Sequence, residues 1–265
     1  MELKDIDAKV FSVLCDPDAR HPLEWDDGNL RNAVTGRVYP IREGIPLFVS
    51  TVSGSSLHLM RIYNRVAGIY DLMQSFSRWR TRGPDHRKEA IEELDLQPGM
   101  RMLEIGVGTG AVIPYVPKDV EYFGLDISFN MLRKCQKNLD TWGRKAHLFQ
   151  GEARKLPFRV EAFDRVLHVG GINRFSHPAR ALREMAWVAK PGAKIVIVDR
   201  IEIGLSVDPE TEPVNELAGP ADPRPGTELL SMLPPEITDI KTQTMGGGKW
   251  YCITLYKPEL HGGEV

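Results

Sequence analysis

The stretch that most constrains this chain is Met102-Leu103-Glu104-Ile105-Gly106-Val107-Gly108-Thr109-Gly110. A short apolar run that carries an acid near its end and breaks into alternating glycines reads as a buried β-strand, a tight turn and then a helix. Glycine serves such a turn twice over: it accepts positive φ, and it has no Cβ to hold a ligand away from the backbone. Amides at the start of the following helix can face a polar or anionic group. Alone, the loop leaves two readings open besides a bound ligand of another kind. One is a structural turn that binds nothing. The other is a dinucleotide loop, because Gly106, Gly108 and Ala111 satisfy the loose glycine pattern and Asp126 stands where a ribose-binding acid is expected.

A chain of 265 residues can bury a full core and can hold one large domain or a domain with an extension. Its formal net charge of -2 gives no electrostatic argument for a nucleic-acid partner. No apolar run approaches the roughly 18 residues of a membrane span. Residues 1–10 mix acids and lysines with isolated apolar residues, unlike a signal peptide. Cys15, Cys135 and Cys252 are far apart and odd in number, which points to a reducing cytoplasm and to neither a disulfide framework nor a metal site.

In residues 1–50, the segment 10–14 reads as a strand, Cys15-Asp16-Pro17-Asp18 as a turn and 37–41 as a second strand, with Pro46-Leu47-Phe48-Val49 closing a small β-rich unit. Residues 51–98 form a linker, Ser53-Gly54-Ser55-Ser56, and a helical cap. There Leu59, Ile62, Tyr63, Val66, Ile69, Tyr70, Met73 and Phe76 recur at helical spacing. They read either as a core-facing stripe or, for Tyr63 and Tyr70, as rings closing over a cofactor or substrate. Arg78, Arg80, Arg82 and Arg87 form a basic cluster that reads as a solvated face or as a contact for an anionic headgroup or a membrane surface.

From residue 99 to 257 strands and helices alternate. Strands are expected at 121–126, 146–150, 163–169 and 194–199, with helices at 89–96, behind Ser128 and at 178–190. Such alternation gives an α/β fold, a doubly wound and mostly parallel sheet with ligands beyond the carboxyl ends of its strands. Residues 204–235 form a Pro-, Asp- and Glu-rich insertion with a short helix at 227–233. A hairpin, 240–244 and 250–256 around Gly246-Gly247-Gly248, joins the sheet before the 258–265 tail.

Residues 99–200 resemble the class I S-adenosylmethionine-dependent methyltransferases, in the group that includes ubiquinone and menaquinone C-methyltransferases and bacterial phospholipid N-methyltransferases. Five segments match in order: 103–110, Gly124-Leu125-Asp126-Ile127-Ser128, Gly151-Glu152-Ala153 with Leu156-Pro157-Phe158, Phe163-Asp164-Arg165-Val166-Leu167, and Arg183-Glu184-Met185 leading to Lys190-Pro191-Gly192-Ala193. Residues 61–71 also resemble the helix that precedes the core in the quinone enzymes. The dinucleotide reading recedes, because it accounts for neither Gly151-Glu152-Ala153 nor the Pro191-Gly192 turn.

The resemblance implies a Rossmann-like seven-stranded sheet and S-adenosylmethionine as cofactor. It places Gly106, Gly108, Thr109 and Gly110 along the methionine and ribose, Glu104 at the ammonium, Asp126 at the ribose hydroxyls and Ile127 on the adenine face. Glu152 stands where the family usually has an Asp facing the adenine amino group, a contact that the backbone of Ala153 can carry instead. Leu167 and His168 would close the floor beneath the methionine, and Asn173 would orient the substrate. If the acceptor must lose a proton, His168 and His177 are candidate bases. Equally, they read as a strand-end residue with a satisfied ring and as a helix-entry residue.

The implied activity is methyl transfer, in the cytoplasm, to a small-molecule or lipid-like acceptor of quinone, phenol or amine type, with no nucleic acid and no metal expected. A non-catalytic cofactor-binding protein is the rival reading. An RNA methyltransferase is a third, opposed by the acidic pI and by Val169-Gly170-Gly171-Ile172-Asn173 where an Asn/Asp-Pro-Pro-Tyr-type loop would stand. That third reading arises from residues 1–50, which resemble the zinc-ribbon-like activating partners of tRNA and protein methyltransferases through Leu14-Cys15-Asp16-Pro17, Gly36-Arg37-Val38-Tyr39-Pro40-Ile41 and Gly44-Ile45-Pro46. That family carries a Cys-x-x-Cys pair at each end, whereas here Cys15 stands with Asp18, Asn32 and Thr35. A lone thiol cannot build a tetrahedral thiolate site. The resemblance therefore implies a module without its metal, kept as a packing or lid element. An unrelated β-rich extension remains open.

Overall fold

A sheet whose strands are apolar on both faces must be covered on both, and the computed structural model of this chain does so with helices on each side and an extra module on one of them. The structure describes residues 8–49, 84–172, 175, 177–201, 226–237 and 239–259. Tyr63, Tyr70, Asn173, Arg78, Arg80, Arg82 and most of the 204–235 insertion lie outside them.

The chain runs α1 (Ala8–Val13), β1 (Glu24–Asp26), β2 (Asn29–Arg31), β3 (Val38–Arg42), β4 (Ile45–Pro46), α2 (His86–Leu94), β5 (Arg101–Ile105), a 3-10 turn (Ile113–Tyr115), β6 (Glu121–Asp126), α3 (Phe129–Trp142), β7 (His147–Gln150), β8 (Phe163–Val169), α4 (Pro178–Val188), β9 (Ala189–Arg200), α5 (Gly226–Ser231), β10 (Asp239–Met245) and β11 (Trp250–Tyr256). The large sheet has seven strands in the order β10-β11-β9-β8-β5-β6-β7. β5 to β9 pair in parallel, while β11 and β10 add antiparallel. This is the Rossmann-like α/β architecture of the expectation, with the strand order reversing between β5 and β8.

Alternation decides which side chain faces which layer. Leu103, Ile105, Phe123, Val166, Ile195 and Ile197 face α4, α5 and the N-terminal module. Met102, Tyr122, Leu148, Leu167, Val196 and Val198 face α2 and α3. Helix α3 starts where the Ser128 hydroxyl accepts from Met131 N at 3.2 Å, and it stops at Gly143 in the left-handed region.

Two local expectations fail for identifiable reasons. The glycine loop is not followed by a helix but by the single 3-10 turn Ile113–Tyr115. Only residues 106–120 separate β5 from β6, and Pro114 and Pro117 lie among them; the residue before Pro117 is extended, with ψ 135 at Val116. No full helix terminus is therefore offered to a ligand after this loop. Residues 10–14, expected as a strand, instead continue helix α1 to Val13, and Leu14 forms an isolated bridge to Phe158. The apolar run is buried against the core, and a buried run of this length reads alike as helix or strand.

The N-terminal module is a four-stranded sheet, β1-β2-β3-β4, that extends the edge of the large one. Leu47 bridges Gln150 of β7 in parallel, and Phe48 N donates to Gln150 O at 2.8 Å. A second seam joins it to the segment after β7: Cys15 N donates to Pro157 O at 3.0 Å and Arg159 N to Val13 O at 2.8 Å. Arg20 spans the seam, bonding Leu156 O at 2.8 Å and ion-pairing with Glu184 of α4. Within the module, the Asp16 carboxylate accepts from Asp18 N, Ala19 N and the Asn32 carboxamide at 2.7–2.9 Å. Asn32 Oδ1 in turn accepts from Val34 N and Thr35 N. Both residues are buried, and together they tie the two turns that carry Cys15 and Thr35.

Phe123, Phe149, Phe158 and Phe163, all fully buried, form the node between the large sheet and this seam. Phe158 meets Phe149 and Phe163 edge-on at 5.2 and 5.0 Å between centroids. Phe158→Ala is expected to cost about 3–5 kcal/mol, since the cavity opens where sheet, Leu14 and seam converge. Denaturant unfolding followed by fluorescence would report it as a lower midpoint at unchanged slope.

Candidate functional site

The carboxyl ends of β5, β6 and β8 lie side by side, and the loops leaving them form the site. β6 ends in Asp126, which is 9% exposed. Its Oδ2 accepts from Gly108 N and its Oδ1 from Ser128 N, each at 2.8 Å. One carboxylate thus closes the glycine loop and starts helix α3. Burial pushes its pKa up to about 6, against the pull of the Ser128, Gly108 and Ile127 amides.

Glu104, on β5, points to the α2 and α3 side and is fully buried; its carboxylate accepts the Tyr122 hydroxyl of β6. Burial raises its pKa to about 8, with the Tyr122 bond and the nearby Arg87 guanidinium opposing and Asp126 adding to the rise. Arg87 is itself buried, 3.9 Å from Asp85, so this member of the expected basic cluster does not lie on a solvated face.

The loop glycines have different tasks. A Cβ at Gly108, where φ is 55, would meet nothing within 4 Å and would fill the space above the loop. At Gly110, with φ 84, it would lie 2.8 Å from Cys135 Sγ and 2.9 Å from Ile113 Cδ1, so packing under the loop requires this glycine rather than ligand approach. A Cβ at Gly106 would lie 3.4 Å from the ring of His168. Thr109 is buried, and its carbonyl accepts from Asn138 of α3 at 3.0 Å.

Beyond the ends of β6 and β7, Ile127 is half-buried and its carbonyl accepts from Gln150 Nε2 at 2.9 Å. The Glu152 carboxylate is engaged by Arg154 at 2.7 Å, while Ala153 beside it is half-buried. Leu167 and His168 do not form one floor, since alternation sends Leu167 to the α2 side and His168 to the α4 side. The His168 ring is only half satisfied: Nδ1 lies 2.7 Å from Ile105 O, and Nε2 is buried without a partner. His177 is exposed at the entry of α4 and its side chain caps nothing.

Tyr122 and Asp199 escaped the sequence reading. Tyr122 reaches Glu104 only through strand pairing, because it shares its β6 face with Gly124, the register partner of Glu104. Asp199 ends the apolar run 195–198 as Asp126 ends its own strand, with its carboxylate accepting from Gly171 N at 3.1 Å and Arg200 N at 2.8 Å.

The donor inventory separates the two ligand classes. The amides of Gly106, Val107, Gly108 and Gly110 are all donated within the protein, to Leu125 O, Asp126 and Val107 O. A pyrophosphate there would meet two buried acids, Glu104 and Asp126, with these four amides already engaged. The same acids suit a ligand with an ammonium and a pair of hydroxyls.

Comparison with known proteins agrees. Residues 103–197 match the family described as Methyltransferase domain. Residues 103–197 form a class I methyltransferase domain. S-adenosylmethionine is the cofactor of that class, and the loop space over Gly108 and the two acids fit it. The demethylmenaquinone methyltransferase of Desulfitobacterium hafniense is 32% identical over 145 residues, covering 52% of this chain and 56% of that protein. The phosphatidylethanolamine N-methyltransferase of Cereibacter sphaeroides is 36% identical over 103 residues, covering 38% of this chain and 51% of that one. The chain thus spans a little over half the length of these relatives. A solved S-adenosylmethionine-dependent methyltransferase from Aquifex aeolicus shares the fold, with a TM-score of 0.52 and 20% identity over 71% of this chain and 98% of that one.

The glycine assignments make opposed predictions for one substitution. Gly110→Ala is expected to destabilise the fold by about 2–4 kcal/mol through overpacking and a left-handed alanine. Gly108→Ala should cost only about 1 kcal/mol in stability while lowering cofactor affinity at least tenfold. Thermal unfolding and calorimetric titration of both variants would read the contrast.

Proposed function

We propose that the chain transfers the methyl group of S-adenosylmethionine to a small-molecule or lipid-like acceptor of quinone, phenol or amine type. The observation that carries the reading is the Asp126 carboxylate, buried at the carboxyl edge of the sheet and tied to the glycine loop, with Glu104 on the adjacent strand. Each Asp126 oxygen accepts one amide and keeps further lone-pair capacity, so the carboxylate can take both ribose hydroxyls. Ile127 would lie along the adenine, with Gln150 holding its carbonyl. Glu104, steadied by Tyr122, would accept from the ammonium. When bound, the sulfonium supplies an already activated methyl group. What is left to the protein is positioning and exclusion of water. The relatives' acceptors, a demethylmenaquinone and a phosphatidylethanolamine, support the small or lipid-like class.

Calorimetry with S-adenosylmethionine and S-adenosylhomocysteine tests the reading. Micromolar binding is expected for the wild type. Asp126→Ala should weaken it by about 2–3 kcal/mol, roughly 30- to 150-fold, as charge-assisted hydrogen bonds are lost. Binding of neither ligand would remove the enzyme reading.

The pH dependence follows from the two acids. Both bind the ligand as carboxylates, and their free-state pKa values of about 6 and about 8 lie above ordinary carboxylates. Binding must therefore release protons below those values. Affinity should rise with pH between about 6 and 8 and level off above. Titrations at pH 7 in buffers of different ionisation enthalpy should show net proton release, reduced in Glu104→Gln.

A further inference from the structure

We propose that His168, flanked by Asp199, accepts a hydrogen bond and then a proton from a hydroxyl on the methyl acceptor, which makes the acceptor a phenol or hydroquinone. The inference rests on the methyltransferase reading and narrows its substrate class.

The argument starts from an unpaired atom. His168 is 1% exposed, and its Nδ1 faces a carbonyl, Ile105 O, at 2.7 Å. A carbonyl only accepts, so Nδ1 carries the hydrogen, and Nε2 is left as a bare acceptor lone pair. Among the described residues that lone pair has no partner. A buried polar group without one costs on the order of 1–3 kcal/mol and calls for an explanation in function. The neighbours on the same side supply one.

In the register, His168 pairs with Ile197 of β9, and Asp199 lies two residues further along that strand on the same face. Asp199 in turn pairs with Tyr251 of β11. The three polar side chains thus stand in a row across the carboxyl ends of β8 and β9 and the amino end of the antiparallel β11, the sheet edge where such a fold binds ligands. Beside them the Gly170 and Gly171 turn, φ 79 and 101, would have nothing within 4 Å of an added Cβ, so the backbone leaves room there. Among the described residues the same loop adds apolar surface, Phe175 lying 5.2 Å from the imidazole and Ile172 fully buried.

A neutral hydroxyl enters such a wall at far lower desolvation cost than an ammonium. A bare imidazole lone pair matches its O–H. As the acceptor attacks, its O–H bond breaks and the proton passes to Nε2. The pair left on the oxygen is delocalised into the ring for carbon attack, or used directly for oxygen attack, and forms the bond to the methyl carbon. The sulfonium sulfur keeps the other pair. The resulting imidazolium keeps its Nδ1–H bond to Ile105 O and gains the field of the Asp199 carboxylate. From the remaining packed elements, β5 turns Glu104 to the opposite face, and α4 begins with the exposed His177.

The test uses His168→Asn, whose amide can keep the bond to Ile105 O while removing Nε2. With 1,4-naphthohydroquinone as acceptor, kcat should fall roughly 10²- to 10³-fold, the usual worth of a general base. Cofactor affinity should stay within about twofold. The wild-type rate should show an acid limb lying below the ordinary histidine range, because burial lowers the His168 pKa, and the variant should lack it. Independently of turnover, 15N-imidazole NMR should show one Nδ1–H tautomer whose Nε2 resonance moves to a hydrogen-bonded position on adding 2-naphthol but not phosphoethanolamine. A His168→Asn enzyme of wild-type kcat, or an Nε2 signal that 2-naphthol never moves, would overturn the proposal. Absence of cofactor binding with an intact 2-naphthol response would instead remove the methyltransferase reading.

Discussion

The Asp126 carboxylate is the interaction on which the site depends. Its two oxygens receive one amide from the loop after β5 and one from the turn into α3, so a single side chain joins two crossover connections at the sheet's edge. Because the amides of Gly106, Val107, Gly108 and Gly110 are spent internally, the loop presents to a ligand chiefly space over Gly108 and acceptor capacity on acids. Holding a carboxylate in a buried place costs solvation, and its raised pKa records that cost. In the proposed function, ligand hydroxyls and an ammonium would return the lost solvation. The same edge therefore serves rigidity and recognition through one charge.

The N-terminal module is tied to this edge from outside. Strand pairing at Gln150 and the seam at 156–159 bracket the segment 151–155, which leaves β7 beside Asp126. The module also engages the outer edge of β7 at its last residue, Gln150. Its own two turns are held by the buried Asp16–Asn32 pair, a neutral-to-anionic hydrogen bond that needs no metal ion. Among the described residues no cluster of His, Cys, Asp and Glu could hold one. Cys15 is buried, and its thiol pKa is pushed up to about 11, so it behaves as a packing residue.

Much of the core was legible before any coordinates. Glu121–Asp126, Phe163–Val169 and Trp250–Tyr256 occupy the positions that apolar run, flanking turn and cap signals assigned them, because strand signals are local. The helix after Gly110 was misread for want of a non-local fact, that β6 must begin at Glu121 to pair with β5. Residues 10–14 were misread because a short buried apolar run looks alike in either period. The candidate site divides in the same way. Glu104, Gly108 and Asp126 announced themselves by spacing, whereas Asp199 and Tyr251 joined the site only through pairing between distant strands.

By itself the sequence determined the strands of the large sheet, the glycine turn and the acids at strand ends, since each is written in a window of a few residues by period, φ preference and polarity. Only the tertiary structure decided which face each polar side chain takes, which loop amides remain free, and where the N-terminal module sits. Those outcomes depend on strand register and on packing across elements far apart in the chain, as when Leu14 meets Phe158 and His168 meets the Gly106 turn. A register shift of one residue would turn His168 to the opposite face, and no local pattern specifies that register.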